Sequence, residues 1–292
     1  PENIGRVSGF GWGLGYFGGL ASLLAVAPLL KGGFTISNLS HLQAAWLVTA
    51  AFFFFAGLPT FLVLRERAPR GPKRGSWEGA RRGLSRLAES ARAIRHFSEL
   101  ARFLLVFFVF SCGLMTVIAF AGIFAARTLH FSASELMLLF VLLQVSSALG
   151  AFLFGWLEDR VGTWLLIQGS LAFWTLVCVA SAWCPSKSVF WVIAMVAGLG
   201  VGSLQSAARG LVGLFSPLAK SGEFFAFWGL AGKGAYALGP LVFGAISSAS
   251  GSERLAILAT AVFFIAGFIG MFWVDEERGR AAALAWGASP VD

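Results

Sequence analysis

Charged residues are scarce in this sequence. Asp, Glu, Lys and Arg together make up 12% of its 292 residues, whereas soluble domains average about 25%. Hydrophobic residues make up 58%, which excludes an intrinsically disordered chain. Three cysteines are present and none stands in a CxxC spacing, so a disulfide scaffold and a cysteine zinc site are both disfavoured. The composition therefore fits neither a soluble domain nor a small disulfide-rich protein.

Motifs for nucleotide, cofactor or metal chemistry are also lacking. The sequence has no Walker loop and no dinucleotide-binding fingerprint, and its three histidines never stand at ligand spacing from acids. We therefore expect no metal, no cofactor and no direct use of ATP. A membrane-embedded enzyme would need a cluster of His, Asp, Glu or Cys at one membrane interface, and the sequence offers none. A channel or a structural subunit remains the second alternative.

Long apolar runs are the main feature that the sequence does have. Each of eight runs reaches the roughly 20 residues that a helix needs to cross a hydrocarbon core of about 30 Å. The runs are continuous rather than alternating, which disfavours a barrel. We therefore predict an all-α polytopic membrane protein with eight transmembrane helices. The predicted spans are residues 7–30, 44–64, 103–126, 132–157, 163–183, 188–214, 223–247 and 254–274.

Lys and Arg residues fall mainly on one side of these spans. Of the 22 basic residues, eleven lie in the single long connection, residues 65–102, and six more lie on the same side. The positive-inside bias then makes both termini cytoplasmic, with a bacterial plasma membrane as the default location. We attribute the net charge of +8 to the orientation of the protein in the membrane rather than to nucleic-acid binding. Residues 77–94 have an amphipathic helical pattern with a basic face, which predicts either a helix on the anionic cytoplasmic leaflet or a plain connector between two bundles.

Glycines recur at four-residue steps in two of the spans, and a third span carries the pair Gly239-Pro240. Such stripes let two helices approach almost to backbone contact, and a Gly-Pro pair inside a helix predicts a bend. The pattern fits either static tight packing or helices that slide and rock. The residues concerned are Gly11, Gly15 and Gly19, then Gly198 and Gly202, and finally Gly239 with Pro240.

Lys233 lies near the middle of the seventh span. A lysine at the bilayer centre costs about 2.5 to 3.5 kcal/mol on insertion scales, so it should face protein or a water-filled cavity. No Asp or Glu of the eight spans lies at matching depth, which leaves its counter-charge outside this sequence or on a bound solute; satisfaction by carbonyls and hydroxyls is the alternative. Gln144 and Gln205 fall at similar depth, and the three side chains would form one polar substrate site if their helices line a common cavity.

A short motif follows the fourth span. Gly155, Asp159, Arg160 and Gly162 match the pattern G-x-x-x-D-R-x-G; alone it is a tight turn, but with the long basic loop the chain resembles the major facilitator superfamily. The basic pair that often follows is replaced by Thr163-Trp164. The resemblance implies two six-helix bundles that rock about a midplane site, and its pseudo-symmetry places Asp159 near residues 6–8, as part of a gate.

A narrower resemblance is to the vacuole-effluxer-like branch of that superfamily. It rests on residues 2–9, on Gln205 with Arg209, and on the stretch from Glu223 to Pro240. It implies a secondary carrier of a small solute, with amino-acid efflux as the specific expectation, and it adds Arg209 and Glu223 to the gate residues.

The resemblance also predicts the domain organisation. The eight spans would be helices five to twelve of a twelve-helix fold. Since the sequence opens with Pro1 and enters a helix at once, we expect N-terminal helices of the same protein as its partner. Residues 1–64 would close the N-terminal bundle, 65–102 form the cytoplasmic linker, 103–274 the C-terminal six-helix bundle and 275–292 a cytoplasmic tail.

Overall fold

The computed structural model describes residues 4–30, 35–63, 81, 85 and 97–288. Within these ranges the secondary structure is helical, and no strand occurs. The α-helices are α1 Ile4–Val26, α2 Leu39–Val63, α3 Ser98–Arg127, α4 Ala133–Val161, α5 Thr163–Ala182, α6 Lys187–Phe215, α7 Ser221–Ser250, α8 Glu253–Met271 and α9 Glu276–Ala288.

Helices α1 to α8 coincide with the eight predicted spans, and the all-α fold is confirmed. Seven of them are both long and apolar enough to cross a membrane. The helix not counted among these is α7, which has 30 residues but carries Lys233, many glycines and several serines. The predicted amphipathic helix of the basic loop lies outside the described residues, apart from positions 81 and 85.

Several helix boundaries differ from the prediction, and α2, for example, begins at Leu39, five residues before its predicted start. Helix α3 begins at Ser98, five residues before the expected start, and Leu100 is buried there. Glu99 accepts hydrogen bonds from Arg102 Nη1 at 2.8 Å and from the backbone N–H of Asp275 at 2.9 Å. The predicted tail also contains helix α9, which packs against Phe215 of α6. Polar contacts and buried residues outside the apolar runs therefore extend the helical bundle at the end where α3 begins.

Two ends of the bundle can be told apart by their turns. The α4–α5 turn marks what we call the Asp159 end, and the α3–α4 turn marks the Glu135 end. At the Glu135 end, Ser132 and Glu135 form a reciprocal capping box that starts α4. At the Asp159 end, α4 stops at Gly162, whose φ of 88° favours glycine over any other residue.

Helices α3 to α8 pack into one bundle, and α1 lies along its side against α4 and α6. The core contains Trp174, which stacks on Phe264 with ring centroids 5.6 Å apart. By contrast, α2 packs against α1 and the adjoining turns, and its residues Phe53, Phe54 and Phe55 are exposed. A large exposed apolar surface of this kind suits a lipid environment.

Candidate functional site

The start of α1 is held to the end of α4 by Asp159. Its Oδ1 accepts a hydrogen bond from the backbone N–H of Gly5 at 3.0 Å, and its Oδ2 lies 3.3 Å from Arg6 Nε. The Asp159 side chain is 9% exposed and that of Arg6 49%. First-turn N–H groups have no partner within their own helix, and a carboxylate is favourable at that end. The expected position of Asp159 near residues 6–8 is confirmed, and we call these contacts the α1–α4 latch.

Glycines bring the backbones of α1 and α4 together beside the latch. A Cβ atom at Gly5 would lie 2.7 Å from the carbonyl oxygen of Gly155, and one at Gly9 would lie 2.5 Å from that of Ala151. The predicted glycine stripe packs less closely: among the described residues, a Cβ at Gly15 would meet no atom within 4 Å, and one at Gly11 would meet Arg209 Nη1 at 3.5 Å. The face of α1 that packs against α4 thus contains Gly5 and Gly9.

The other predicted packing glycines lie in close contacts. Gly19 faces the side-chain amide of Gln144. In α6, a Cβ at Gly198 would lie 2.8 Å from Ser146 Cβ, and one at Gly202 would lie 2.8 Å from the carbonyl oxygen of Ser147. In α7, Gly239 abuts the Cys112 carbonyl of α3, and Pro240 lies inside the helix, which continues to Ser250.

The remaining gate candidates are not joined to the latch by any ion pair within the described part of the chain. The Arg160 guanidinium lies over the ring of Trp156, 3.7 Å from its centroid, which is a cation–π contact. Arg209 is exposed on α6. Glu223 lies 3.5 Å from Lys220 Nζ, three residues earlier in the chain.

A cavity of about 460 Å³ lies between α1 and the bundle, on the Glu135 side of the latch. Its volume falls within the usual range for small-molecule sites. Gln144 and Gln205 both line it, as the sequence predicts, whereas Lys233 is not among its lining residues and is exposed on α7. The structure thus brings together two of the three predicted substrate residues.

Two α1 residues that the sequence analysis did not single out also line the cavity. The indole Nε1 of Trp12 and the hydroxyl of Tyr16 are buried there, and neither has a hydrogen-bond partner among the described residues. Gln144 Nε2 donates to the backbone oxygen of Tyr16 at 3.4 Å. The lining is otherwise mainly apolar and includes no charged side chain of the described chain. The sequence signal for Trp12 and Tyr16 was their four-residue spacing, which places two aromatic side chains with polar tips on one face of α1.

Glu158 is a further residue that the sequence analysis missed as a site residue. It is 3% exposed; its Oε1 accepts a hydrogen bond from the Thr163 hydroxyl at 3.0 Å, and its Oε2 has no partner within the described ranges. Its position continues the spacing of the buried small residues Ser147, Ala151 and Gly155. That helical period was the available signal, because it places Glu158 on the packed face of α4.

Comparison with known proteins identifies the family. The model of the family described as vacuole effluxer Atg22 like matches residues 2–284. The chain belongs to this family. Among curated relatives, the uncharacterized MFS-type transporter YxiO of Bacillus subtilis is 26% identical over 95% of the chain and 65% of its own length. Autophagy-related protein 22-1 of Neosartorya fischeri is 28% identical over 97% of the chain and 50% of its own length.

Solved structures show the same fold. The human organic anion transporter MFSD10 matches with a TM-score of 0.65 at 18% identity, over 92% of the chain and 66% of that protein. A bacterial homolog of the human lysosomal transporter Spinster matches with a TM-score of 0.59 at 17% identity, over 96% and 67%. The chain is therefore a multi-pass membrane protein of the major facilitator fold, and YxiO and the two solved proteins are described as transporters. It spans from half to about two thirds of the length of the two curated relatives named above.

Proposed function

We propose that this chain forms part of a secondary transporter that moves a small solute by alternating access. The observation that carries the proposal is the α1–α4 latch beside the cavity. The latch consists of one backbone hydrogen bond and one half-exposed ion pair over a glycine-lined helix contact. The ion pair itself adds little to the closed state, since a partly exposed ion pair contributes up to about 1 kcal/mol. Family membership and the shared fold support the same proposal.

The cavity is the proposed solute site. Trp12 and Tyr16 offer buried hydrogen-bond donors without partners among the described residues, and Gln144 and Gln205 add amide groups to an apolar lining. These groups suit a solute with an apolar body and one or two hydrogen-bond acceptors. Efflux of amino acids with apolar side chains is the specific candidate. Lys233, outside the lining, is the proposed cation for a carboxylate of the solute or of another part of the protein.

The membrane orientation is proposed from the basic residues. The Asp159 end would face the cytoplasm with both termini, and the basic residues 65–102 would lie along the anionic leaflet. Residues 1–64 and 103–274 would belong to the two bundles that rock against each other. A bacterial inner membrane is the proposed location, while the relatives include bacterial and fungal proteins.

Solute counterflow tests the proposed function. The full-length protein would be reconstituted into liposomes loaded with single unlabelled solutes, such as leucine, phenylalanine, lysine or glucose, and uptake of the labelled solute would be followed. A carrier gives transient accumulation that saturates with concentration and needs no ATP. Flux that rises linearly with solute concentration would instead indicate a channel, and absence of flux across a broad panel would favour a structural subunit.

A further inference from the structure

Glu158 lies where three helices meet at the Asp159 end. A Cβ atom at Gly5 of α1 would lie 2.7 Å from Glu158 Cβ, and one at Gly210 of α6 would lie 2.6 Å from Glu158 Oε1. The Thr163 hydroxyl at the start of α5 supplies its hydrogen bond. Gly5 of α1 thus packs against the Cβ of Glu158, and loss of the α1 contact would open this side of Glu158 to water.

The basic side chains on α1, α4 and α6 at this end do not pair with Glu158 within the described residues. From α1, Arg6 pairs with Asp159; from α4 itself, Arg160 lies over Trp156; and from α6, exposed Arg209 reaches toward Gly11 of α1. Glu158 has no ion pair within the described part of the chain. A carboxylate buried without a cation is strongly disfavoured, whereas a protonated carboxyl with one unpaired oxygen costs far less.

Two further acids face the same region. Asp159 is the next residue of α4, and Glu276 of α9 accepts a hydrogen bond from the backbone N–H of Trp164 at 3.0 Å, one residue after Thr163. Each of these carboxylates, when ionised, disfavours a second negative charge on Glu158. Burial, the absence of a paired cation and the surrounding acids therefore act in the same direction.

We propose that Glu158 is a proton-binding site that makes closure of the α1–α4 latch depend on the pH of the water at the Asp159 end. The inference rests on the proposed alternating-access function. When α1 moves away, the carboxyl Oε2–H gives its proton to water and Glu158 becomes a hydrated carboxylate. Closure takes one proton back from water, because the buried form is neutral. High pH at this end therefore opens the latch, and low pH closes it.

A distance measurement between α1 and α5 tests the proposal without knowledge of the solute. Val7 and Leu165 are exposed near the Asp159 end, and both would be changed to cysteine in the full-length protein and spin-labelled. The chain's own cysteines, at positions 112, 178 and 184, are buried, which directs the label to the new sites. Double electron–electron resonance in nanodiscs from pH 5 to pH 9 would report the fraction with the short distance.

We expect the short-distance fraction to fall as pH rises in the otherwise unaltered protein. Glu158→Gln keeps a neutral side chain of the same size and should hold the short distance over the whole range. Thr163→Val removes the hydrogen bond that the enclosed carboxyl accepts, which destabilises the closed form, so the midpoint should shift to lower pH. Glu277→Gln removes an exposed acid at the same end and should titrate like the parent.

Failure of the proton site is distinguishable from failure of the proposed transport mechanism. Asp159→Asn with the same label pair weakens the latch directly and should lengthen the distance at any pH. If it does so while Glu158→Gln still titrates like the parent, or while the parent shows no pH response, the proton site is refuted and the latch stands. If neither pH, nor Asp159→Asn, nor any solute changes the distance, α1 does not move and both proposals fail.

Discussion

At the residue scale, two adjacent acids at the end of α4 have opposite surroundings. Asp159 points to the start of α1 and pairs with Arg6, whereas the enclosed Glu158 side chain has Thr163 as its one hydrogen-bond partner among the described residues. Consecutive positions of a helix face directions about 100° apart, so one acid can bind a neighbouring helix end while the next is buried. A single turn of α4 therefore provides both the carboxylate of the latch, on Asp159, and the carboxyl group that is buried while the latch is closed, on Glu158.

Replacing Asp159 tests the latch as a gate. Asp159→Asn removes the ion pair with Arg6 but keeps an oxygen for the Gly5 N–H, which should cost the closed state about 1 kcal/mol, or about fivefold in its population. Slower counterflow with normal membrane insertion is the expected result, measured against the parent at equal protein content. Asp275→Asn, at the same end but outside the latch, is the matched control. Unchanged transport in well-folded Asp159→Asn would contradict the gate role.

The chain contains two tyrosines, which make a matched pair for testing the cavity. Tyr16 has a buried hydroxyl without a partner among the described residues, whereas Tyr236 is exposed and does not line the cavity. Tyr16→Phe should raise the melting temperature of the solute-free protein, because it removes an unsatisfied buried group. It should also weaken binding of the transported solute about five- to tenfold, because its acceptor then lacks a donor. Tyr236→Phe should change neither quantity; weakening of binding by both variants alike would refute a specific donor role.

At the scale of elements, the length of each apolar run predicts the helices well and their ends less well. The predicted span of α4 begins one residue before the observed start at Ala133, where Ser132 and Glu135 form a capping box. The start of α3 and the whole of α9 were missed, because contacts such as Glu99 with the backbone of Asp275 fix helical segments outside the apolar runs. Hydropathy identifies the segment of each helix that crosses the membrane, but it gives no information about these tertiary contacts.

The sequence also did not reveal which face of each helix contacts its neighbours. Four-residue glycine spacing occurs on two faces of α1, one through Gly5 and Gly9 and the other through Gly11 and Gly15. Composition cannot tell which face meets α4, since both would permit close packing. Asp159 could be placed from the superfamily's pseudo-symmetry, whereas the burial of Glu158 depended on the spacing of small residues in α4, which the sequence analysis did not use.

Two alanine substitutions test which face of α1 is packed. Gly9→Ala places a methyl group 2.5 Å from a backbone oxygen of α4, so the helices must separate at a cost of about 1–3 kcal/mol. Gly15→Ala meets no atom within 4 Å and should be neutral or gain up to about 1 kcal/mol from helix propensity. Thermal unfolding in one detergent should therefore show a lower midpoint for Gly9→Ala alone. Equal effects of the two substitutions would contradict the observed phase.

At the scale of the whole molecule, the polar groups of the chain divide between two surfaces. Gln144 and Gln205 line the cavity between α1 and the bundle, while Lys233 lies on the exposed surface of α7. A lysine facing hydrocarbon at mid-helix is costly, so this part of α7 should meet water or a polar group beyond the described residues. Lys233 lies near the middle of α7, and the direction of its side chain depends on how α7 packs on α3 through Gly239.

Lys233→Ala tests whether this surface takes part in transport. If Lys233 holds a carboxylate of the solute or of the protein, its loss should abolish counterflow or change solute preference while expression stays normal, and Lys233→Arg should restore part of the activity by keeping the charge. Lys187→Ala removes a lysine that pairs with Glu135 at the Glu135 end of the bundle and should leave solute preference unchanged. Unaltered kinetics in Lys233→Ala would make Lys233 a structural residue, and solute recognition would then rest on the cavity groups alone.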